Sequence, residues 1–304
     1  MGIVMVIRIG TRGSLLAMQQ ARIVKTAIET NYAELSTRII TIKTSGDMNT
    51  HVPLYDIGGK GLFIKEIEEA LLDNIIDVAV HSAKDVPGIY SEDLDIPCIL
   101  PRASALDAFL SSKYDSIASL PLNAKIGTSS VRRKVQLLTM RPDLEIIPMR
   151  GNVETRISKM QMGECDGIVL AEAGLYRVSK DNLISEVLQP EVMLGAVGQG
   201  AICVQCRRYD RRILEILKKL NCHKSYTTVS AERSFMRAVD GSCNTPLAAM
   251  AKYIDMDILT MKCMLADDAR NMVFTERVFA EQNAESAGYE MGTLLKNELH
   301  LHRL

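Results

Sequence analysis

The sequence predicts an α/β fold with two sheet-based domains, followed by a small α+β domain. Short apolar runs rich in branched residues alternate with amphipathic segments through residues 1–217, a pattern typical of α/β folds. Glycine-rich residues 195–201 lead back into a strand and suggest a return of the chain to the first domain. At 304 residues the chain is also longer than one compact core usually spans.

The predicted elements follow this division in chain order. The first domain, residues 1–100 with 195–217, has predicted strands at 4–9, 37–43, 75–80, 94–100 and 202–204, a helix whose inner face carries Ala17, Ala21, Val24 and Ile28, and a helix at 60–73. The second domain, residues 101–194, has predicted strands at 125–127, 144–149 and 167–171, helices at 129–140 and 152–162, and a helical turn through Arg177. The third, residues 218–304, has predicted helices at 230–239 and 284–298 and strands at 246–250, 256–265 and 272–278. The repeated alternation in the first two domains predicts parallel sheets, and polar residues 44–59 are a candidate lid.

Composition excludes several classes of function. A net charge of −1 gives no overall field that would attract nucleic acid or an acidic membrane surface. No run approaches the roughly 20 apolar residues of a membrane span, and the first residues do not form a signal peptide, so we expect a cytoplasmic protein. The seven cysteines are odd in number and dispersed, and the five histidines lack ligand spacing, so neither a disulfide framework nor a metal site is predicted. Cys203 and Cys206 are expected on opposite faces of a strand.

One polar turn stands out at the end of a predicted strand. Residues 81–87 follow an apolar run and place Lys84 and Asp85 side by side before Pro87, which stops the strand. Ligands of open α/β sheets bind beyond the carboxyl ends of strands, so this acid and base are candidates for chemistry. The alternative is a solvated turn carrying an ordinary surface ion pair.

Arginines recur where a strand passes through a small polar turn into a helix. They are Arg12 beside Ser14, Arg132 and Arg133 after Thr128 and Ser129, and Arg150 and Arg156. In the first turn of a helix the dipole disfavours a cation by a few tenths to about 1 kcal/mol, a cost that a bound anion reverses. Arginine also suits bidentate recognition of carboxylate or phosphate. We therefore predict binding of an anion at several points, the alternative being salt bridges to surface acids.

Cys243 has an unusual position for a structural cysteine. It lies in a polar Asp-Gly-Ser turn after a predicted helix and shortly before Pro246, rather than in an apolar run. Such a thiol can be a nucleophile or an attachment point, although an inert cysteine also fits its position.

Taken together, these segments resemble the porphobilinogen deaminase family. The matching motifs run through nearly the whole chain: Gly10-Thr-Arg-x-Ser14, Thr44-x-Gly-Asp47, Ile57-Gly-Gly-Lys-Gly-Leu-Phe63, His81-Ser-x-Lys-Asp-Val-Pro87, Gly127-Thr-Ser-Ser-Val-Arg-Arg133, Arg150-Gly-Asn-Val-x-Thr-Arg156, Leu170-Ala-x-Ala-Gly-Leu-x-Arg177, Val197-Gly-Gln-Gly-Ala201, Glu232-Arg-x-Phe-x-Arg237 and Gly241-x-Cys243-x-x-Pro246.

The resemblance implies two periplasmic-binding-protein-like domains around a cleft, and a third domain that carries a dipyrromethane cofactor on a thioether to Cys243. It implies head-to-tail addition of four porphobilinogen units with loss of ammonia, then hydrolysis that frees hydroxymethylbilane. It further implies a monomer whose product passes to uroporphyrinogen-III synthase, with no nucleic acid or membrane partner.

The resemblance also implies roles for single residues. Asp85 matches the catalytic carboxylate, which stabilises the azafulvenium-like cation left when ammonia departs. Each pyrrole carries an acetate and a propionate, so a growing chain is a dense polyanion that accounts for the arginines. The implied cofactor-binding set is Cys243, Lys84, Thr128, Ser129, Arg132 and Arg133, and the implied substrate-binding set is Arg12, Ser14, Lys60, Arg150, Arg156 and Arg177.

Two positions depart from the family pattern. Asp56 stands where many members have lysine, which puts one contact in the lid region in doubt, and Ala83 replaces a frequent methionine. Two other functions stay open at the level of sequence: a non-catalytic anion-binding protein of the same build, and a phosphosugar enzyme, which would give Cys243 no task.

Overall fold

A computed structural model of the protein describes residues 5–48, 64–242, 245–267 and 271–301. The chain divides into two compact units. The first unit contains Met1–Arg102 and Ala201–Tyr226, and the second contains Ala103–Gly200 and Thr227–Leu304. The three-domain boundaries drawn from the sequence stay a prediction.

Strands and helices alternate through the first two hundred residues. Before residue 103 the elements are β1 (Met5–Thr11), α1 (Leu15–Asn31), β2 (Leu35–Thr41), α2 (Ser45–Met48), α3 (Lys65–Leu72), β3 (Val78–Ser82) and β4 (Leu94–Ile99). From there to residue 200 they are β5 (Asp107–Leu110), β6 (Lys125–Gly127), α4 (Val131–Met140), β7 (Glu145–Ile147), α5 (Val153–Gln161), β8 (Gly167–Ala171), α6 (Glu172–Arg177) and β9 (Glu186–Leu188).

The remaining elements are β10 (Ile202–Arg207), α7 (Arg211–Leu220), α8 (His223–Ala238), β11 (Leu247–Tyr253), β12 (Ile258–Ala266), β13 (Met272–Ala280) and α9 (Ala284–Leu301). The sequence prediction placed most of these within a few residues. It missed α7, the one-turn helix α2 and the short strands β5 and β9, and it began α8 seven residues late.

Two sheets share one strand order and one set of directions. The sheet of the first unit runs β2-β1-β3-β10-β4 and that of the second runs β7-β6-β8-β5-β9. In each sheet the first three strands are parallel, the fourth is antiparallel to the third, and the fifth is antiparallel to the fourth. The prediction of parallel sheets is therefore wrong for the fourth strand, which enters directly from the other unit instead of through a crossover helix.

Apolar residues predicted to face inward form the core of the first unit. Ala21, Val24 and Ile28 of α1 are fully buried and pack with Ile7 and Val204 of the sheet. Cys206 belongs to this cluster, whereas the thiol of Cys203 lies 3.7 Å from the carbonyl oxygen of His81, and both cysteines are buried. These packed thiols confirm the interpretation of the pair as strand packing.

The second unit contains a further antiparallel sheet, β11-β12-β13. Its inner face packs against α8 and α9 around Phe235 and Leu295. Its other face packs against α4, where Met250 and Met264 contact the cluster around Val135. The predicted α+β composition of the C-terminal region is therefore confirmed.

Replacement of a buried aromatic side chain should separate core packing from surface effects. Phe109 of β5 is fully buried, and its ring would lie 2.3 Å from any Cβ added at Gly167. We expect Phe109→Ala to lower the free energy of unfolding by about 3–5 kcal/mol, because the change leaves a cavity in a packed core. The matched control is Phe274→Ala, since Phe274 is 57% exposed. Equal shifts of the denaturation midpoint in the two variants would contradict this packing.

Candidate functional site

The first predicted anion corner follows β1. The chain turns after Thr11 and α1 begins at Leu15, with Ser14 as its N-cap. The hydroxyl oxygen of Ser14 accepts a hydrogen bond of 3.3 Å from the backbone N–H of Ala17, satisfying one of the donors that a helix start leaves open. Arg12 lies in the turn itself, half-buried. Its capping role explains why a short polar residue occupies position 14, whether or not Ser14 also contacts a ligand.

Lys84 and Asp85 follow β3, the neighbour of β1 in the sheet. Ala83–Asp85 form a single 3₁₀ turn, closed by a hydrogen bond of 3.3 Å from the N–H of Val86 to the carbonyl oxygen of Ala83. Ala83 is buried and its N–H donates to the carbonyl oxygen of Ala201, the residue immediately before β10. The turn is thus anchored to the sheet, while Lys84 and Asp85 are half-buried.

Arg12, Ser14 and Asp85 line one pocket of the first unit. Its volume is about 380 Å³ with solvent at its mouth included, and its other lining residues are Leu16, Ala17, Gln20, Ile64, Val80, His81 and Ser82. Gln20 is buried and its side-chain amide donates a hydrogen bond of 2.7 Å to the hydroxyl oxygen of Ser82. Lys84 is adjacent in sequence but does not line this pocket.

His81 also lines the pocket, although the sequence analysis did not assign it a role. Its ring nitrogen Nε2 lies 3.2 Å from the side-chain oxygen of Gln205. Burial lowers the pKa of His81 to about 4, and the positive charge of Arg12 lowers it in the same direction. The imidazole is therefore neutral near pH 7. Its position near the carboxyl end of a strand is the sequence signal that could have identified His81 as a candidate site residue.

The second predicted anion corner follows β6 in the second unit. Ser130, the N-cap of α4, accepts a hydrogen bond from the N–H of Arg133. The hydroxyl of Thr128 accepts from the N–H of Ser130 at 3.2 Å, and that of Ser129 donates to the carbonyl oxygen of Met149 at 2.8 Å. Both hydroxyls predicted to contact the cofactor therefore stabilise the turn.

Arg132 and Arg133 are buried around a carboxylate that the sequence analysis did not identify. Asp107 of β5 is fully buried, and its oxygen Oδ1 accepts from both Nε and Nη2 of Arg133, at 3.1 and 2.6 Å. Its other oxygen forms an ion pair of 2.8 Å with Nη1 of Arg132, without a well-aligned hydrogen bond. The anion predicted to offset the helix dipole is thus supplied at least in part by the protein itself.

The charges of this cluster do not cancel. Two guanidinium groups surround one carboxylate, and Gln199 adds a neutral donor at 3.1 Å from Oδ1 of Asp107. Burial alone would raise the pKa of Asp107, but the charges of Arg132 and Arg133 outweigh it and hold that pKa well below its usual range. Burial lowers the pKa of Arg132. The cluster carries an excess positive charge, which favours a further anion nearby.

The remaining predicted arginines follow β7 and β8. Arg150 lies three residues beyond β7, and Arg156 in α5 donates from Nε to the carbonyl oxygen of Gly151 at 2.9 Å. Gly151 has a φ of 115°, and a Cβ there would lie 2.7 Å from Thr155, so this turn requires glycine. Arg177, the last residue of α6, donates from Nη2 to the carbonyl oxygen of Gly200 at 2.6 Å, and burial lowers its pKa.

Three residues of interest lie outside the described part of the chain: Cys243, Lys60 and Asp56. The two residues that flank positions 243–244 are described. The N–H of Ser242 donates to the hydroxyl of Thr245 at 3.0 Å, and the N–H of Thr245 donates to the carbonyl oxygen of Ser242 at 3.0 Å. A reciprocally hydrogen-bonded pair therefore brackets these positions, between α8 and β11.

Residues 5–48, 64–242, 245–267 and 271–301 contain neither a candidate metal cluster nor a helix able to span a membrane. Within these ranges, no group of three or more His, Cys, Asp or Glu side chains is arranged to hold a metal ion. No helix in the same ranges is both long enough and apolar enough to cross a bilayer.

The sequence matches two family models in succession. Residues 7–215 match the porphobilinogen deaminase dipyrromethane cofactor binding domain, and residues 226–297 match the porphobilinogen deaminase C-terminal domain. The chain belongs to the porphobilinogen deaminase family. The family resemblance read from the motifs is thereby confirmed.

Curated members of the porphobilinogen deaminase family are similar over almost their whole length. The enzyme of Ehrlichia canis (strain Jake) is 58% identical, covering 97% of this chain and 98% of its own. That of a Wolbachia species from Drosophila simulans (strain wRi) is 54% identical, covering 97% and 99%. The chain is also similar to the solved structure of the methionine binding protein MetQ, at 12% identity and a TM-score of 0.46. The alignment covers 75% of this chain and 93% of that one.

Removal of the buried carboxylate should test the arginine cluster. We expect Asp107→Asn to lower the free energy of unfolding by about 3–5 kcal/mol at neutral pH, because two buried guanidinium groups lose their anionic partner. The folded-state pKa of Asp107 is depressed, so its contribution is present above the usual aspartate pKa and is lost as the pH falls toward the folded-state value. The difference in the free energy of unfolding between the wild type and Asp107→Asn should therefore become smaller as the pH falls.

The control for this experiment is Asp143→Asn, which breaks the more exposed Arg141–Asp143 pair. Denaturant unfolding of both variants between pH 3 and pH 8 gives the comparison. A loss in Asp107→Asn no larger than in the control would contradict the geometry of the cluster.

Proposed function

We propose that this protein catalyses the stepwise head-to-tail condensation of four porphobilinogen units on a covalently bound dipyrromethane, with release of ammonia and then of hydroxymethylbilane. The observation that carries the proposal is the pocket in which Arg12, Ser14 and Asp85 converge, in a chain of the porphobilinogen deaminase family. Arg12 is a cation that can bind substrate carboxylates, and Asp85 is a carboxylate that can stabilise a developing cation. Both side chains line the same pocket.

The chemistry of the described residues fits a carboxylate-rich cofactor. Arg132 and Arg133 carry an excess of positive charge over Asp107, and Thr128 and Ser129 bring hydroxyl groups to the same corner. When bound, the dipyrromethane would supply the pyrrole end to which the first substrate unit is joined. We propose that Cys243 holds it covalently and that Lys84, Thr128, Ser129, Arg132 and Arg133 bind its acidic side chains.

Asp85 is the proposed catalytic group. Loss of ammonia from porphobilinogen leaves a cationic, electron-poor carbon, and a fixed carboxylate in a partly water-excluded pocket stabilises that charge. The 3₁₀ turn holds Asp85 against the sheet through Ala83, so little reorganisation is needed as the charge develops. The carboxylate can also move the proton that the leaving amine requires.

The remaining cations are proposed to bind the substrate and the growing chain. Acetate and propionate groups match the planar guanidinium of arginine, which can donate two parallel hydrogen bonds. We assign this role to Arg12, Arg150, Arg156 and Arg177, with Ser14 as a hydroxyl contact and Lys60 as a further cation. Arg177 donates one of its N–H groups to the carbonyl oxygen of Gly200, and the fork of a guanidinium can bond a ligand through its other N–H groups.

We also propose a monomeric cytoplasmic protein whose product is passed to uroporphyrinogen-III synthase. The six cysteines in the described residues are free thiols, which agrees with a reducing compartment. The product in this scheme is a linear tetrapyrrole, which uroporphyrinogen-III synthase would take as its substrate.

Substitution of the proposed catalytic carboxylate should remove turnover without unfolding the protein. We expect Asp85→Asn to lower kcat by about 10²-fold or more, because the neutral amide cannot stabilise the developing cation. Far-ultraviolet circular dichroism and the mass of the bound cofactor should be unchanged. Near-normal turnover in this variant would remove Asp85 from the mechanism.

Intact-mass measurement should detect the covalent cofactor. We expect the purified protein to exceed its sequence mass by two pyrrole units, and Cys243→Ala to lack this increment. The matched control is Cys222→Ala, the partly exposed thiol of the first unit, which should retain it. An unmodified wild-type chain that also fails to consume porphobilinogen would favour a non-catalytic anion-binding protein.

A further inference from the structure

A chain of polar side chains, two buried and one half-buried, begins at His81 in the lining of the Asp85 pocket. His81 on β3 contacts Gln205 on the neighbouring antiparallel strand β10, and Gln205 contacts Glu68 on α3. His81 pairs in register with Cys203, so Gln205 lies diagonally opposite on the same face of the sheet. His81 is 5% exposed and Gln205 is fully buried. Neither Gln205 nor Glu68 has a role in the proposed function.

The chemistry of these groups fixes the direction of each hydrogen bond. Burial raises the pKa of Glu68, and the hydrogen bond from Gln205 acts in the opposite direction because it favours the carboxylate. A carboxylate only accepts, so the amide nitrogen of Gln205 faces Glu68, at 2.7 Å from Oε1. The amide oxygen of Gln205 then faces His81, where it can only accept, at 3.2 Å from Nε2. His81 must therefore carry its proton on Nε2. Glu68 does not contact the His81 ring, but through the intervening amide of Gln205 it determines which tautomer the ring adopts.

Neutrality of His81 makes the choice of tautomer meaningful. A neutral imidazole carries one N–H, so a proton on Nε2 leaves a lone pair on Nδ1. Burial and the positive charge of Arg12 both oppose protonation of Nδ1, and burial lowers the pKa of His81 to about 4. Nδ1, the ring nitrogen that does not contact Gln205, is thus a hydrogen-bond acceptor.

We propose that Glu68 and Gln205 are positioning residues that hold His81 as the Nε2–H tautomer, so that Nδ1 accepts a hydrogen bond from an N–H of the substrate in the Asp85 pocket. This inference rests on the proposed function. Porphobilinogen carries a pyrrole N–H and an ammonium group, both of which are donors. An imidazole in the opposite tautomer would present a donor to these donors, and an imidazolium would add a positive charge beside the cation that forms.

The tautomer can be measured directly, without reference to activity. Two-bond nitrogen–proton correlation spectra of the full-length protein, labelled with ¹⁵N in its histidine rings, distinguish the two tautomers and the imidazolium. We assign the His81 signals by their loss in His81→Asn. In the wild type at pH 7.5 we expect a protonated Nε2 and an unprotonated Nδ1.

Two variants should change this spectrum and one should not. Glu68→Gln replaces an obligate acceptor with a group that can also donate, so Gln205 can reverse and the two ring nitrogens should shift toward intermediate values. Gln205→Met removes the acceptor from His81 altogether and should have a similar effect if Glu68→Gln fails to fold. The matched control is Glu69→Gln, because Glu69 is the adjacent residue of α3, its side chain is 56% exposed and it pairs with Lys65.

Kinetics then connect the tautomer to the reaction. We expect Glu68→Gln to lower kcat about tenfold and Glu69→Gln to leave it unchanged. An Nδ1–H or imidazolium form in the wild type, an unaltered spectrum in both Glu68→Gln and Gln205→Met, or a changed tautomer with normal kcat would overturn the inference. A wild type with the expected spectrum but no turnover of porphobilinogen would count against the proposed function, and the positioning of His81 by Glu68 and Gln205 would stand.

Discussion

Three adjacent parallel strands end at one edge in each of the two larger sheets, and the described residues proposed for the site follow these ends. Arg12 and Ser14 follow β1, and Lys84 and Asp85 follow β3, its neighbour. In the second unit, Thr128, Ser129, Arg132 and Arg133 follow β6, Arg150 and Arg156 follow β7, and Arg177 follows β8 through α6. Backbone N–H groups and helix starts gather at such edges, so a protein with a net charge of −1 can still concentrate its affinity for anions there.

Burial of charge has a different consequence in each unit. In the second unit, Asp107 holds two guanidinium groups in a fixed arrangement, which lowers the conformational cost of binding another carboxylate. In the first unit, the buried imidazole of His81 is neutral, and Asp85 lines the same pocket as Arg12, the one lysine or arginine among the described lining residues. In the proposed function, the charge cluster of the second unit binds negative groups, and Asp85 of the first unit stabilises the positive charge that forms during the reaction.

Local signals in the sequence were sufficient for much of the candidate site. Strand, turn and helix-start residues are contiguous, so the sequence predicts Arg12 and Ser14 after one strand and Asp85 after another, and the structure brings all three to one pocket. Asp107 and Glu68 were missed because their partners lie 26 and 137 residues away, a separation that no periodicity encodes. The antiparallel direction of β5 and β10 was missed for a related reason, since it depends on where the chain crosses between units rather than on the local sequence.

The central claim is that this chain elongates a pyrrole oligomer attached to itself at Cys243. The most direct test mixes the protein with limiting porphobilinogen, quenches samples rapidly with acid and measures the intact mass of the protein at each time. The account predicts a ladder of protein species, each heavier than the last by one pyrrole unit, which collapses to the starting mass as product is released. A single protein mass at every time point, with porphobilinogen unchanged or consumed only in solution, would contradict it.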